Sequence, residues 1–413
     1  MPATHHSATE SLGKAWRWVP GLYAAGEIPS SMIIYVSLLM FLQLDCGSAL
    51  STCYSSLLFL PSVLLPLCRH LLLRTARVRT QFYGVQLALL ASLVWLAYTF
   101  PHGRVGLWLP LLAVSALSVW HRMLADALLE QQMDARSRQF LARPVLLARQ
   151  ASLVLTYGVL IILVGGLQVI TRQPLTAWSK GLFILTGMVL LLFAGVLSTH
   201  RFPATHFHAT PPLPFSFPWR TGALLLVLLL PQSLMFHARV LMLLAGYNQG
   251  GLACTIQEVG FAQGTVGVLA FCLGDAVSRW LPLHRESARL HTAMMLSMGL
   301  SPAVYLLMTV YPPSGLLTLC MATFTAQLCF GLGLGACRTL LPHLSSPMPT
   351  SAAGMLQVPA IAACMILPMA CSGWMVEHMG YHHFFLLATL LAPLSWLATK
   401  WAGRIRQTAR IQS

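Results

Sequence analysis

The sequence predicts an all-α membrane protein with twelve transmembrane helices in two six-helix bundles. Of its 413 residues, 57% are hydrophobic and 8% are charged, and only ten are Asp or Glu. The apolar residues are concentrated in runs of about 20 residues, the length that an α-helix needs to cross the hydrocarbon core of a bilayer. A soluble core cannot absorb this much apolar surface, so the composition excludes the soluble fold classes.

The expected spans follow one another along the chain with short connections. The polar stretch MPATHHSATESLGKAWRW carries no short apolar core before a cleavage site, so the first apolar run is expected to act as an uncleaved anchor. The apolar runs predict spans at about 18–44, 49–68, 81–100, 106–129, 145–170, 178–199, 221–245, 256–279, 292–310, 316–337, 352–376 and 381–400.

The basic residues predict how these spans are oriented. If both termini lie in the cytoplasm, 19 of the 25 Lys and Arg residues fall in cytoplasmic segments, and only Arg104, Arg172 and Lys180 fall outside. The other three, Arg122, Arg149 and Arg239, fall within spans. Cytoplasmic loops of membrane proteins carry such an excess of Lys and Arg. The net charge of +15 is spread over these loops and does not form one patch, so no nucleic-acid partner is expected.

The longest connection divides the chain into two halves. Residues 200–220, HRFPATHFHATPPLPFSFPWR, predict an irregular cytoplasmic linker between an N-terminal bundle, 1–199, and a C-terminal bundle, 221–413. The linker histidines His200, His206 and His208 are of a type that binds metals, but a solvated loop is the favoured interpretation. No metal site and no cofactor is predicted, and the chain has no phosphate-binding G-x-x-x-x-G-K-[ST] motif, so it is not expected to hydrolyse ATP.

The two halves place their charges at similar positions. Basic clusters follow the second span, from Arg69 to Arg79, and the eighth span, from Arg279 to Arg289. This pattern suggests two parallel repeats, an architecture in which the substrate binds near the membrane midplane between the repeats.

Four segments carry a resemblance to a known family. They are GLYAAGEIPSSMIIYVSLLMFLQLDCGSALSTCYSSLLFLPSVLLPL, SALSVWHRMLADALLEQ, IQEVGFAQGTVGVLAFCLGDAVSRW and, after FGLGLGACRTLLPHLSS, the ending SAAGMLQVPAIAACMILPMACSGWMVEHMGYHHFFLLATL. Together they resemble the AmpG-like branch of the major facilitator superfamily, which holds muropeptide permeases, acetyl-CoA transporters and single-component siderophore permeases. One departure is that Cys68-Arg69-His70 stands where that superfamily usually has an acidic residue followed by Arg.

The resemblance implies the major facilitator fold and a location in the bacterial inner membrane. The length of the chain and its scarcity of acidic residues are most similar to the siderophore permeases of the pyochelin type. This similarity implies a monomeric protein in the lipid bilayer whose small-molecule substrate is a ferric siderophore. The alternatives left open are import of anhydromuropeptides and transport of another small solute.

Ionisable side chains at membrane depth are costly and normally face the interior of the bundle, so they are the candidate functional groups. Glu27 lies about nine residues into the first span, roughly 14 Å along a helix. Gly26 and Pro29 beside it are expected to interrupt that helix and free backbone carbonyls. We interpret Glu27 as the first candidate for proton coupling, with a structural carboxylate paired to an arginine as the alternative.

The fourth span carries Arg122, Asp126 and Glu130 at intervals of four residues, which places them on one helix face. This spacing predicts a ladder of ion pairs within the helix, and for Glu130 that structural role is favoured. Asp126 is a second proton-coupling candidate, and His121 and Arg122 are candidates to contact the substrate. Arg149 of the fifth span is expected to reach this cluster as a counter-ion.

The remaining candidates lie in the second half of the chain. His237 of the seventh span, a residue type that changes charge near neutral pH, is the third proton-coupling candidate. Asp275 is expected to be structural, pairing with Arg279 at i+4. The other candidates for lining the substrate cavity are polar residues in otherwise apolar spans: Gln232, Arg239, Gln327 and Gln357.

The sequence therefore predicts a secondary transporter that works by alternating access and is driven by protons. Because the predicted cavity is poor in acids, an anionic or neutral solute is expected rather than a cation. A membrane-embedded enzyme is not expected, since His121 and Asp126 are five residues apart and poorly placed to act as a pair within one helix.

Overall fold

The computed structural model describes residues 3–103, 106–207, 219–280, 287–344, 350–395 and 397. It describes side chains for residues 15–103, 106–207, 222–280, 297–338, 358–395 and 397. Helices account for nearly all of this part of the chain, and it contains no strand.

The helices are numbered here in chain order. They are α1 (Ala3–Gln43), α2 (Ser48–Leu57, continued by Leu60–Leu67), α3 (Val78–Thr99), α4 (Trp108–Gln132), α5 (Ala135–Leu153, Val154–Leu160 and Ile161–Thr171), α6 (Pro174–Thr199), α7 (Trp219–Leu244), α8 (Ile256–Val259, Gly260–Gly267 and Val268–Trp280), α9 (Ser287–Val310), α10 (Leu316–Leu344), and α11 and α12, which share Thr350–Leu390.

A helix occupies each of the twelve predicted spans. Ten helical segments of the described chain are long and apolar enough to cross a membrane, and Ser297–Val310 of α9 is a shorter apolar helix. The last of the ten, Val358–Ser395, covers most of the last two predicted spans, and Gly380 at φ +74° breaks the helical backbone between α11 and α12. The chain is therefore a multi-pass membrane protein.

Helix α1 runs without interruption through Pro20 and Pro29, contrary to the expected break. Proline removes one backbone hydrogen bond but does not end a helix that is held on several sides. Helix α1 packs against α4, α5 and α6. Gly26 belongs to one of these contacts, since a Cβ there would overlap the His121 ring. The glycine therefore permits close packing and does not free carbonyls.

The first part of the linker is only partly solvated: Phe202 and Phe207 are buried, whereas Arg201 and His206 are exposed. The ring of His200 stacks on Trp18 with centroids 3.9 Å apart, and Phe202 stacks on Phe82 at 4.3 Å. The amide of Val78 donates to the carbonyl of Thr205 at 2.9 Å. Burial lowers the pKa of His200 from its usual value. These contacts join His200, Phe202 and Thr205 to the helical bundle, while His208 and the rest of the linker to residue 218 lie outside the described chain.

One end of the molecule is closed by two helix pairs, α2 with α11 and α5 with α8. The hydroxyl of Thr52 in α2 donates to the carbonyl of Ala370 in α11 at 3.2 Å, and the amide of Ala49 donates to Glu377 at 2.9 Å. In the second pair, Gly158 and Gly264 lie in π-helical segments, and a Cβ on Gly264 would overlap the carbonyl of Tyr157. Backbones can approach this closely only where glycine removes the side chain.

Candidate functional site

A cavity of about 750 Å³ lies between the two halves of the molecule, at the end opposite to these closed contacts. Exposed Arg138, near the start of α5, and exposed Arg279, near the end of α8, lie at its mouth. The cavity is therefore open on the side of the α4–α5 and α8–α9 connections. Its wall from α1, α4 and α5 is polar, whereas much of its wall from α7 to α11 is apolar and aromatic.

Glu27 is held in the polar wall by two arginines from different helices. Its carboxylate oxygens lie 2.6 Å from an Nη of Arg122 and 3.0 Å from Nε of Arg149. Arg122 also donates to the hydroxyl of Ser30 at 3.1 Å. The Glu27 side chain is only 9% exposed but lines the cavity. The expected contact between Arg149 and this region is present, and it joins α1, α4 and α5 in one ionic cluster.

Asp126 completes this cluster on α4. It accepts a hydrogen bond of 2.5 Å from the hydroxyl of Tyr23 and lies 3.8 Å from an Nη of Arg149. The Arg149 guanidinium also lies over the Tyr23 ring, 5.2 Å from its centroid. Two arginines and two carboxylates thus balance in charge, so that a change of protonation at either carboxylate would leave a positive charge uncompensated.

The predicted ladder within α4 is replaced by pairs between helices. Arg122 pairs with α1 and Asp126 with α5, while Glu130 lies 2.5 Å from an Nη of buried Arg69, in the short helix Arg69–Leu72 that follows α2. Side chains on one face of a helix pair with residues of neighbouring helices when those residues are closer than the residues one helical turn away on the same helix.

His121 does not line the cavity, contrary to the expectation. It is fully buried, its Nε2 lies 3.0 Å from the carbonyl of Leu22, and its ring meets Phe82 edge to face. The one-residue step from Arg122 turns it by about 100° around the α4 axis, away from the cavity. His121 therefore packs α4 against α1 and α3.

The apolar wall contains residues that the sequence did not single out as functional. It is built by rings of Phe59, Phe236, Phe271 and Phe330, with aliphatic side chains from α10 and α11. In a single sequence such residues are indistinguishable from ordinary packing residues, so no signal separated them.

Asp275 was expected to be structural, and its predicted pair with Arg279 is present at 2.6 Å. Asp275 also lies 3.7 Å from an Nη of Arg338 in α10, and all three residues line the cavity. Asp275 and its two arginines thus form a second ionic group across the cavity from Glu27.

Two candidates of α7 lie away from the cavity. Gln232 donates at 2.5 Å to the carbonyl of Met298 in α9 and so joins α7 to α9. The expectation that Gln232 lines the substrate cavity was therefore wrong. His237 is 2% exposed, and its Nε2 lies 3.5 Å from the hydroxyl of Ser55 in α2. His237 therefore lies at a contact between the two halves of the molecule and not on the cavity surface.

Arg239 and Gln327 line a second, much smaller chamber of about 10 Å³. Here Gln327 donates to Gln263 at 3.1 Å, and Gln263 donates to the hydroxyl of Tyr305 at 2.6 Å. Gln263, Tyr157 and Tyr305 were missed because isolated uncharged polar residues are common in membrane helices. The side chain of Gln357 lies outside the described residues.

Near the mouth of the cavity, Asp134 caps the start of α5 by accepting a hydrogen bond of 3.2 Å from the amide of Ser137. Hydrogen bonds from Ser137 lower the pKa of Asp134 from its usual value. In the described chain, no group of three or more His, Cys, Asp or Glu side chains is arranged to hold a metal ion.

No family model matches the chain, and no curated protein is similar to it in sequence. Solved structures are similar in fold. The crystal structure of the nucleoside transporter NupG aligns with a TM-score of 0.68 at 15% identity, covering 94% of this chain and 98% of that one. A bacterial homolog of the human lysosomal transporter Spinster, in an inward-facing, occupied conformation, aligns with a TM-score of 0.67 at 14% identity, covering 96% and 97%.

The same Spinster homolog in its inward-facing, unoccupied conformation aligns with a TM-score of 0.66 over 97% of this chain. Identities of 13–15% carry no information on substrate, but the agreement extends over nearly the whole length of each chain. The chain therefore has the major facilitator fold that was predicted from the sequence.

Proposed function

We propose that this chain is a secondary transporter that imports a ferric siderophore of the pyochelin type across the bacterial inner membrane by alternating access. The observation that carries the transporter assignment is the cavity between the two halves, open at one end of the membrane domain and closed at the other by α2–α11 and α5–α8. A cavity that reaches only one side is what alternating access requires of each end state.

The cavity suits an amphipathic solute with negative charge. Its described lining residues include five arginines and three carboxylates, which leaves an excess of positive charge. The ionic cluster of Glu27 lies on α1, α4 and α5, whereas Phe236 and Phe271 lie on α7 and α8. A bound solute can therefore place an anionic group against Arg122 and Arg149 and an aromatic body against the two phenylalanine rings. The volume of about 750 Å³ is within the range of small-molecule binding sites.

Proton coupling is proposed to occur at Glu27, with Asp126 as the second candidate. When Glu27 is ionised, its carboxylate occupies both Arg122 and Arg149. A proton on Glu27 removes that negative charge and frees the guanidinium groups to bind an anionic solute. The proton and the solute would then bind together and cross together, which is symport. His237 is less suited to this role, because it lies away from the cavity.

The test is uptake of radiolabelled iron, supplied as ferri-pyochelin, into spheroplasts with and without the protein. We expect uptake that depends on the protein and is abolished by a protonophore. The Glu27→Gln variant resembles the protonated state, so we expect it to lose accumulation but to retain exchange of labelled for unlabelled solute. Glu258→Gln is the matched control, because glutamine can preserve the capping box that Glu258 forms with Thr255.

The possible outcomes separate the parts of the proposal. Absence of protein-dependent uptake would exclude the siderophore, and labelled anhydromuropeptide would then be tested in the same spheroplasts. Uptake that survives the protonophore would exclude proton coupling and leave the transporter assignment in place. Normal accumulation by Glu27→Gln would remove Glu27 from the coupling mechanism.

A further inference from the structure

We propose that the chamber around Arg239 is a second anion-binding site, distinct from the large cavity and lying between it and the closed end of the protein. The inference rests on the assignment of the chain as a transporter, but it does not depend on which solute is carried. The ligand would be a small anion, either a free halide or the anionic group of the solute itself.

The first observation is that Arg239 is a buried cation without a counter-ion. The residue is 2% exposed, and its Nε has no hydrogen-bond partner. Within the described chain it forms no ion pair, and the ring of Phe236 lies 4.9 Å from its guanidinium carbon. An arginine cannot shed its proton in a protein, so this charge persists. Burying it without a partner is costly unless an anion binds there.

The second observation is that the surrounding groups are neutral and include hydrogen-bond donors. The chamber is lined by Tyr35, Tyr157, Gln263 and Gln327 together with Arg239. Tyrosine hydroxyl and glutamine amide groups can donate to an anion, and the described lining contains no carboxylate that would repel one. The free volume of about 10 Å³ is close to that of one water molecule. The chamber therefore fits a halide ion or the oxygen of one carboxylate, but not a whole solute.

The third observation is where the chamber lies. Phe271, Phe330, Tyr35 and Leu153 line both the chamber and the large cavity, so they form a partition between the two. On its other side, Tyr157 and Gln263 belong to the π-helical segments that meet at Gly158 and Gly264.

Separation of α5 from α8 would consequently expose Arg239 to the opposite side of the membrane. Arg239 would then bind an anion that enters from that side, in the same way that Arg122 and Arg149 would bind one in the open cavity.

The experiment measures thermal unfolding of the purified full-length protein in detergent, in sodium gluconate and in sodium chloride at equal ionic strength. Chloride should raise the unfolding midpoint of the wild type in a saturable manner, because a ligand that binds only the folded state stabilises it. Arg239→Gln should lose at least about tenfold in apparent chloride affinity, since a hydrogen bond to a charged group is lost. Arg239→Lys should retain part of the effect, and Arg17→Gln, at an exposed position of α1, should retain all of it.

Three results would overturn the proposal. The first is an equal chloride effect in Arg239→Gln and in the wild type, and the second is loss of the chloride effect in Arg122→Gln instead. The third is an unfolding midpoint of Arg239→Gln in gluconate that lies well below that of the wild type. That result would mean that the guanidinium group has a structural role. None of these measurements uses a siderophore, so failure of the proposed function would leave them interpretable. Uptake assays then distinguish the sources, because a free halide that binds as a co-ion makes uptake depend on chloride, whereas chloride competes with an anionic group of the solute.

Discussion

Arg149 is the residue that joins the ionic cluster of the large cavity. Its Nε pairs with Glu27, its terminal nitrogen approaches Asp126, and its guanidinium plane covers Tyr23. A planar, forked cation can make these three contacts at once, whereas the ammonium of lysine is a single point of charge. The cluster is therefore expected to require arginine at this position, and not only a positive charge.

Arg149→Lys is expected to reduce the initial rate of protein-dependent uptake by about tenfold or more, which corresponds to about 1.4 kcal/mol. The variant keeps the charge but cannot hold Glu27 and Asp126 together. The comparison is with Arg143→Lys, which changes an exposed arginine on the same helix and should transport normally. Equal rates in both variants would show that only the positive charge at Arg149 matters.

His200 lies outside the membrane-spanning segments, and its protonation can be followed through the pH dependence of the protein's stability. Burial against Trp18 lowers the pKa of His200, so the folded state favours the neutral ring. The unfolded chain then binds the proton more readily, and stability is expected to fall as the pH drops below about 6.5.

His200→Phe retains an aromatic ring but cannot titrate. We expect the unfolding midpoint of the wild type to fall relative to that of this variant between about pH 8 and pH 5. Parallel curves for the two proteins would contradict a neutral, buried His200.

Among the helices, α5 and α8 form one of the two contacts that have to break if the closed end is to open. The π-helical turns place Gly158 against Gly264 with no side chain between them. Such turns mark places where a helix departs from its regular hydrogen-bond pattern, often at functional sites.

Gly264→Leu is expected to hold this end open, because the leucine side chain would overlap the carbonyl of Tyr157. Spin labels placed on α5 and α8 near their ends at Thr171 and Ile256 should show a longer distance in the variant than in the wild type. Gly187→Leu is the control, since a Cβ at Gly187 meets nothing within 4 Å. An unchanged distance would mean that the α5–α8 contact adapts to side chains.

One ion pair in each half of the chain joins two of its helices, and the two pairs have opposite polarity. Just after α2, Arg69 pairs with Glu130 of α4, while in α8 Asp275 lies near Arg338 of α10. The six-plus-six repeat expected from the sequence relates α2 to α8 and α4 to α10. The acidic residue that is absent beside Arg69 is thus compensated by an acid on the partner helix.

Reversing one charge, as in Arg69→Glu, is expected to destabilise the folded protein by about 1–3 kcal/mol, because Glu130 would lose its partner and meet a like charge. The double variant Arg69→Glu with Glu130→Arg should recover much of that loss. Thermal unfolding of the three proteins gives the comparison. A double variant as unstable as the single one would show that the pair cannot be inverted, so that other neighbours fix its polarity.

Considered as a whole molecule, the protein shows how much a membrane sequence determines. The spans and the fold were predictable because lipid requires each crossing to be a long apolar helix. Glu27, Arg122 and Arg149 could be identified because charges inside such runs are rare. The sequence could not predict the direction in which His121 points or the contact of Gln232 with Met298. Both depend on how each helix is rotated and on which backbone lies opposite. The phenylalanine wall was likewise hidden among ordinary packing residues.

The orientation of the molecule in the membrane is the remaining property of the whole chain that can be tested. The charge distribution predicts that both termini and the basic loops lie in the cytoplasm. The large cavity opens on the side of the α4–α5 connection, beside Arg138. If both statements hold, the structure is inward-facing, and Tyr247, which is 71% exposed in the α7–α8 connection, lies on the opposite side.

In a variant without its native cysteines, Tyr247→Cys should react with a membrane-impermeant maleimide in intact spheroplasts. Arg138→Cys should react only in inverted membrane vesicles, because the predicted orientation places the mouth of the cavity on the cytoplasmic side. The reverse pattern would place the open cavity on the outer side and contradict the orientation that the positive charges predict. Reaction of both cysteines from one side would contradict the crossing of the membrane by the helices that separate them in the chain.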